Sequence, residues 1–119
     1  MPQPAAETQV GQKTMPSFST RVVILCDDSP RKKKYAYEER ITIWNAKSES
    51  AAIRKTEAEA KRYSKDSGDR YLGFIQSYWL FEDVPLEGVE IFSLIRESDL
   101  PPKKYIDAHF DTGDEKQRK

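Results

Sequence analysis

The sequence predicts an α+β domain: a four-stranded antiparallel sheet with one long helix packed on it (ββαββ) and a short C-terminal helix. Three observations carry this. Four segments alternate in the period of two that a pleated strand imposes. One segment between the second and third of them is rich in Ala, Glu and Lys, with its inward residues at helical spacing. The connectors between strands are short and polar, which favours antiparallel hairpins, with the long helix on one sheet face.

Residues 18–26, FSTRVVILC, form the first strand. Alternation sets Phe18, Thr20, Val22, Ile24 and Cys26 on one face and Ser19, Arg21, Val23 and Leu25 on the other. The run stops at Asp27-Asp28-Ser29-Pro30, and DDSPRKKK reads as a turn-rich hairpin loop. Residues 35–46, YAYEERITIWNA, give a second strand antiparallel to the first. Tyr35, Tyr37, Glu39, Ile41 and Ile43 share one face; Ala36, Glu38, Arg40, Thr42 and Trp44 share the other.

Ser48 is a natural N-cap and Glu49 suits the positive end of the helix dipole. The helix over residues 49–66 carries Ala52, Ile53, Thr56, Ala60 and Tyr63 in one stripe, with Glu57 and Lys61 as an i,i+4 pair on the outer side. Small residues in that stripe suit close packing on a sheet, and Gly68 ends the helix. Residues 69–81, DRYLGFIQSYWLF, form a third strand, apolar on both faces and therefore expected to be central. Tyr71, Gly73, Ile75, Ser77, Trp79 and Phe81 face one way, and Leu72, Phe74, Gln76, Tyr78 and Leu80 the other.

After the loop EDVPLEG comes the fourth strand, VEIFSLIRE, residues 89–97. Alternation groups Glu90 with Phe92, Leu94 and Arg96, on a face that is apolar in its middle and wet at its ends, as is ordinary for the open face of an antiparallel sheet. Ser98 or Asp99 can cap the last helix, with Pro101 and Pro102 tolerated in its first turn.

The chain of 119 residues is one domain by length, with residues 17–110 as the folded unit. Residues 1–16, rich in Pro, Gln, Ala and Thr, read as a disordered leader, and residues 111–119 as a charged tail. Met15 offers a second translation start. Lys and Arg total 20 and so do Asp and Glu, a balance that disfavours a dedicated nucleic-acid binder. The single cysteine, Cys26, excludes an internal disulfide. With one Cys and one His no zinc finger can form. There is no signal-peptide pattern and no apolar run of membrane-spanning length, so a cytoplasmic protein is expected.

The stretches YEERITIWNAKSESAA and GVEIFSLI resemble a widespread family of small bacterial proteins of unknown function. The matching positions are Tyr37, Glu38 and Glu39 on a strand; Ala46, Ser48 and Ala52 at a helix start; and Gly88, Glu90, Ile91, Phe92 and Ser93 on a later strand. The likeness spans about residues 18–95, and the helix after Pro101 and Pro102 falls outside it. It implies the ββαββ order and no activity. It also implies a structural role for Glu90, fixed by a hydrogen bond or ion pair with Arg40 or Arg96.

Chemistry-bearing constellations are sparse. Asp107, His109 and Asp111 in DAHFD would share a face on a strand, but the preceding Ser-Asp and Pro-Pro favour a helix, which separates His109 from the two carboxylates. Glu38 and Glu39 are neighbours on a strand and do not converge. Cys26 reads as an inert buried thiol. No catalytic triad, phosphate loop or dinucleotide loop is present, so neither a metal nor a cofactor is expected and the chain does not read as an enzyme.

One helix cannot cover both faces of a four-stranded sheet, and an uncovered apolar face usually meets a partner. The expected function is therefore a non-enzymatic binding module that uses this face for a protein partner or for self-association. Phe74, Tyr78, Leu80, Glu90, Phe92, Leu94 and Arg96 are the candidate contact residues. An antidote or adaptor in a bacterial defence or toxin system is one version. The alternative is a nucleic-acid-associated protein using the basic loop of Arg31, Lys32, Lys33 and Lys34, with Tyr35 and Tyr37 nearby for stacking.

Overall fold

The computed structural model describes residues 15–27 and 30–110. The rest of the expected leader and the whole of the expected tail lie outside them. The elements are β1 (Ser17–Cys26), β2 (Tyr35–Asn45), α1 (Glu49–Ser67), β3 (Arg70–Leu80), β4 (Val89–Ser98) and α2 (Pro102–His109). They build the antiparallel four-stranded sheet, in the order β3-β1-β2-β4.

That order corrects one expectation. β3 is an edge strand, and β1 and β2 are the central pair. β1 and β2 form the predicted hairpin, with Phe18 opposite Trp44 and Cys26 opposite Ala36. β3 and β4 do not form one: α1 carries the chain from β2 across to the far side of β1, and the connection before β4 returns to the other edge. Its residues are anchored where it passes the sheet end. Val84 N–H donates to Ser17 Oγ (2.7 Å), Asn45 Nδ2 to the Leu86 carbonyl (2.7 Å) and Gly88 N–H to the Ile43 carbonyl (2.7 Å). Gly88 has φ +70, and a Cβ there would lie 2.9 Å from the Trp44 ring, so both its backbone and its closeness to Trp44 require glycine.

α1 begins at Ser48, whose side chain accepts from Ala51 N–H, and ends at Gly68 in the left-handed region. Its buried residues are Ala52, Thr56, Ala60 and Ser64, every fourth position and all small. They let the helix approach the sheet face that bears Phe18, Thr20, Val22 and Ile24, as alternation predicts. Between helix and sheet runs a buried hydroxyl chain. Trp44 Nε1 donates to Thr42 Oγ1 (2.8 Å), Thr42 meets Thr20 (3.1 Å), Thr20 meets Thr56 (2.7 Å), and Thr56 donates to the Ala52 carbonyl (2.8 Å). Each buried hydroxyl is thereby satisfied, which removes the desolvation cost of placing threonines in a core. Glu57, expected on the outer side, accepts the Tyr71 hydroxyl from β3 (3.2 Å).

α2 packs on the opposite face. Tyr105 and Phe110 are buried there with Val23, Leu25 and Tyr37, and Leu72 and Phe74 lie against the same cluster. The expected side-chain cap is absent: Pro101 is the N-cap residue, and Pro102 follows in the first turn. Asp99 instead accepts Lys34 N–H (3.0 Å), and Ser98 Oγ accepts Leu100 N–H (3.0 Å).

Two irregularities re-aim edge residues. β3 shifts register against β1 between Val22 and Ile24, around Gly73 at φ +82. Phe92 stands opposite Ile41 and Glu90 opposite Thr42, so Ile91 is an extra, unpaired residue in β4. This bulge breaks the alternation. Glu90 therefore sits on the α1 face beside Arg40, and not with Phe92, Leu94 and Arg96 as strict alternation predicts.

Candidate interaction surface

The most polar stretch of the core is in the middle of β2. Glu38, Glu39 and Arg40 are consecutive and each is buried. They are tolerated because each is partnered, and the partners come from both helices. Tyr63 of α1 donates its hydroxyl to the two Glu38 oxygens (3.0 and 2.9 Å), and Ser93 of β4 donates to Glu38 Oε2 (2.5 Å). On the other face Tyr105 of α2 donates to Glu39 Oε2 (2.8 Å), with Arg96 Nη2 3.3 Å from the same oxygen. Arg40 lies between Glu59 of α1 (2.5 Å) and Glu90 of β4 (2.7 Å), with its guanidinium 3.9 Å from the Tyr63 ring centre. One strand thus ties down α1, α2 and β4. Glu90 is thus paired with Arg40.

The same environment acts on the phenols. Burial, then the hydrogen bond to Glu38, pushes Tyr63 up to about 12. Burial, then the proximity of Tyr35, pushes Tyr37 up to about 12. Tyr105 is raised too, by burial and then by its bond to Glu39. A raised folded-state pKa gives stability that is complete below the unfolded value of about 10 and is lost as pH rises through the folded value. The denaturation midpoint is expected to fall between pH 10 and about 12. That loss should coincide with the rise of tyrosinate absorbance near 295 nm. Ionisation of Tyr63 and Tyr37 at ordinary phenol values, with the fold intact, would contradict the burial acting on both phenols and the hydrogen bond from Tyr63 to Glu38.

The sequence-selected contact residues divide. Phe74 is taken by α2, its ring 5.3 Å from that of Phe110. Glu90 faces α1, and Arg96 is engaged with Glu39. Tyr78 and Phe92 do share the α2 face, but on opposite edges of the sheet. Tyr78 stands beside Ser19, which stands opposite Ile43 and through it Val89; Phe92 stands beside Ile41 in the next row. Leu80 and Leu94 are half-buried. α2 covers the end of this face that bears Val23, Leu25 and Tyr37 and leaves Phe92 47% exposed.

Large exposed side chains gather at the two edges. β3 ends in Tyr78, Trp79 and then Phe81, the last two with ring centres 4.4 Å apart. β4 carries Val89, Ile91, Phe92 and Ile95, which are 42, 52, 47 and 59% exposed. Sequence reasoning drew its β4 contact residues from the Glu90 face and left out Val89, Ile91 and Ile95, which are exposed as well. The apolar side chains of Ile91, Phe92, Leu94 and Ile95, broken only by Ser93, were the available signal.

The basic loop is bound to an acidic neighbour. Glu97 Oε1 accepts the backbone N–H groups of Lys32 (2.9 Å) and Lys33 (3.2 Å), Asp99 accepts that of Lys34, and Arg31 Nε donates to the Lys34 carbonyl (2.9 Å). These carboxylates sit against the loop and weaken its attraction for phosphate. Cys26 is buried, and burial, followed by the charges of Asp69 and Glu38, pushes its thiol up to about 11. That is the wrong direction for a nucleophile. Asp107 and His109 lie on α2, as expected, with Asp107 bonded to Lys103 (3.1 Å) and His109 packed on Tyr105; Asp111 lies outside the described residues. Among the described residues no group of three or more Cys, His, Asp or Glu side chains is placed to hold a metal ion.

The class defined by this geometry is a small α+β domain, a four-stranded antiparallel sheet with a helix on each face and two apolar edges. Comparison with protein-family models, with curated proteins and with solved structures finds no match. No helix among the described residues is long and apolar enough to cross a membrane.

Proposed function

We propose that this chain is a non-enzymatic binding module of the ββαββ type that its sequence resembles, and that it acts by capturing protein through the apolar rim of its sheet. The single observation that carries this reading is the exposure of Val89, Ile91, Phe92 and Ile95 together on one edge strand. Scattered exposed apolar residues are ordinary, whereas a contiguous group marks an interaction surface. The buried carboxylates support the same reading, because Glu38 and Glu39 are committed to tyrosine hydroxyls that hold the helices. An antidote or adaptor in a bacterial defence or toxin system is a setting that suits such a module.

Phe92→Glu tests it. Since Phe92 is half in water already, the variant is expected to stay folded, with a denaturation midpoint close to that of the parent, and to lose protein partners, its own copies included. An unchanged set of partners and an unchanged oligomeric state would overturn the binding reading. The basic loop supplies the control. Neutralising Arg31, Lys32, Lys33 and Lys34 is expected to leave partner binding intact. Submicromolar RNA binding at physiological salt, abolished by that change, would replace the present reading with the nucleic-acid one.

A further inference from the structure

We infer that the occupant of the β4 edge is a second copy of this chain, paired β4 to β4 antiparallel about a two-fold axis through Leu94. The inference rests on the binding-module reading and narrows it.

β4 pairs with β2 on one side, and among the described residues nothing pairs with its other side. An edge strand presents a row of free N–H and C=O groups that another strand can satisfy. Phe92 and Ile95 show why the missing element is a strand. They lie on opposite faces of the sheet, Phe92 beside Ile41 and Ile95 beside Glu38, yet both are exposed. A partner lying on either face would cover only one of them. A strand added at the edge covers both.

Symmetry then restricts the register, and side-chain complementarity selects within it. In an antiparallel pair, residues directly opposite share a face, so a two-fold axis normal to the sheet must pass through a residue. The bulge at Ile91 interrupts the strand on the N-terminal side, and an axis through Leu94 uses the five residues that follow it, Phe92 to Arg96, for regular pairing. An axis through Leu94 sets Phe92 opposite Arg96 of the second copy, Leu94 opposite its own counterpart, and Ser93 opposite Ile95. Every pair is complementary: a cation beside an aromatic ring, two leucines, and a small residue facing a large one. Arg96 is 44% exposed at its side chain and retains room for this contact while paired with Glu39. The net charge of zero means that two copies meet without overall repulsion.

The full chain carrying Leu94→Cys is expected to form an intermolecular disulfide under mild oxidation. Opposed Cα atoms in such a pair lie about 4.5–5.5 Å apart, within disulfide reach. Ser93→Cys is expected not to cross-link, since its two copies would be roughly 8 Å apart. The native Cys26 is buried and serves as background. In sedimentation equilibrium the parent chain is expected to be a dimer, and Ile95→Lys, at a site already in water, is expected to raise the dimer dissociation constant about tenfold or more while circular dichroism stays unchanged. A monomeric parent overturns the inference; if Phe92→Glu then still abolishes capture of another protein, the binding-module reading survives without it. A dimer that cross-links through Ser93→Cys in place of Leu94→Cys, or that is indifferent to Ile95→Lys, also overturns it.

Discussion

Tyr105→Ala is expected to destabilise the domain by about 4 kcal/mol, in the range for truncating a large buried aromatic residue. Tyr105 is fully buried, stacked on Tyr37 with ring centres 3.8 Å apart, and donates to Glu39. Its removal opens a cavity under α2 and takes a donor from a buried carboxylate. The two effects separate by substitution. Tyr105→Phe keeps the stacking and loses only the hydroxyl, so its cost should be about 1.5–3 kcal/mol, the scale of a hydrogen bond to a charged group. Chain truncation after Ser98 removes the whole cover of Val23, Leu25 and Tyr37, and should give a sticky, aggregating product. Chemical denaturation of the three variants checks the ranking. A Tyr105→Ala midpoint within the error of the parent would mean that α2 does not hold this face.

Arg40→Ala is expected to cost about 3 kcal/mol, at the low end for removing one partner of a buried ion pair. The Arg40 side chain is 7% exposed, and its loss leaves Glu59 and Glu90 facing each other across an unfilled site, without the stacking on Tyr63. The low end applies because Glu90 is 39% exposed and can turn to water. For the same reason Glu90→Gln should cost under about 1 kcal/mol. Against a total stability of roughly 5–15 kcal/mol for a domain of ordinary stability, the arginine variant should be conspicuous in a urea titration and the glutamine variant should not. Equal effects would show that the Arg40–Glu90 contact carries the whole contribution of the triad.

The sequence by itself determined the elements and most of their inward faces. Period-two alternation in residues 18–26 and 35–46 gave two strands whose residues divide between the two sheet faces as expected, because alternation is a local property of the pleat. Ser48 and Gly68 marked the ends of α1 through backbone groups that need a cap whatever the helix packs on. Tertiary structure decided the rest. Which strands are neighbours depends on where α1 carries the chain, so β3, apolar on both faces, lies at an edge and not in the centre. The bulge at Ile91 exists only in the pairing of β4 with β2, and it moved Glu90 to the face opposite the one alternation assigned. The burial of Glu38, Glu39 and Arg40 was equally illegible, because charges on a strand read as solvent-facing until their partners are in place. Those partners, Tyr63, Ser93, Tyr105, Glu59 and Glu90, come from three other elements of the chain, and only the packed fold brings them within hydrogen-bonding distance.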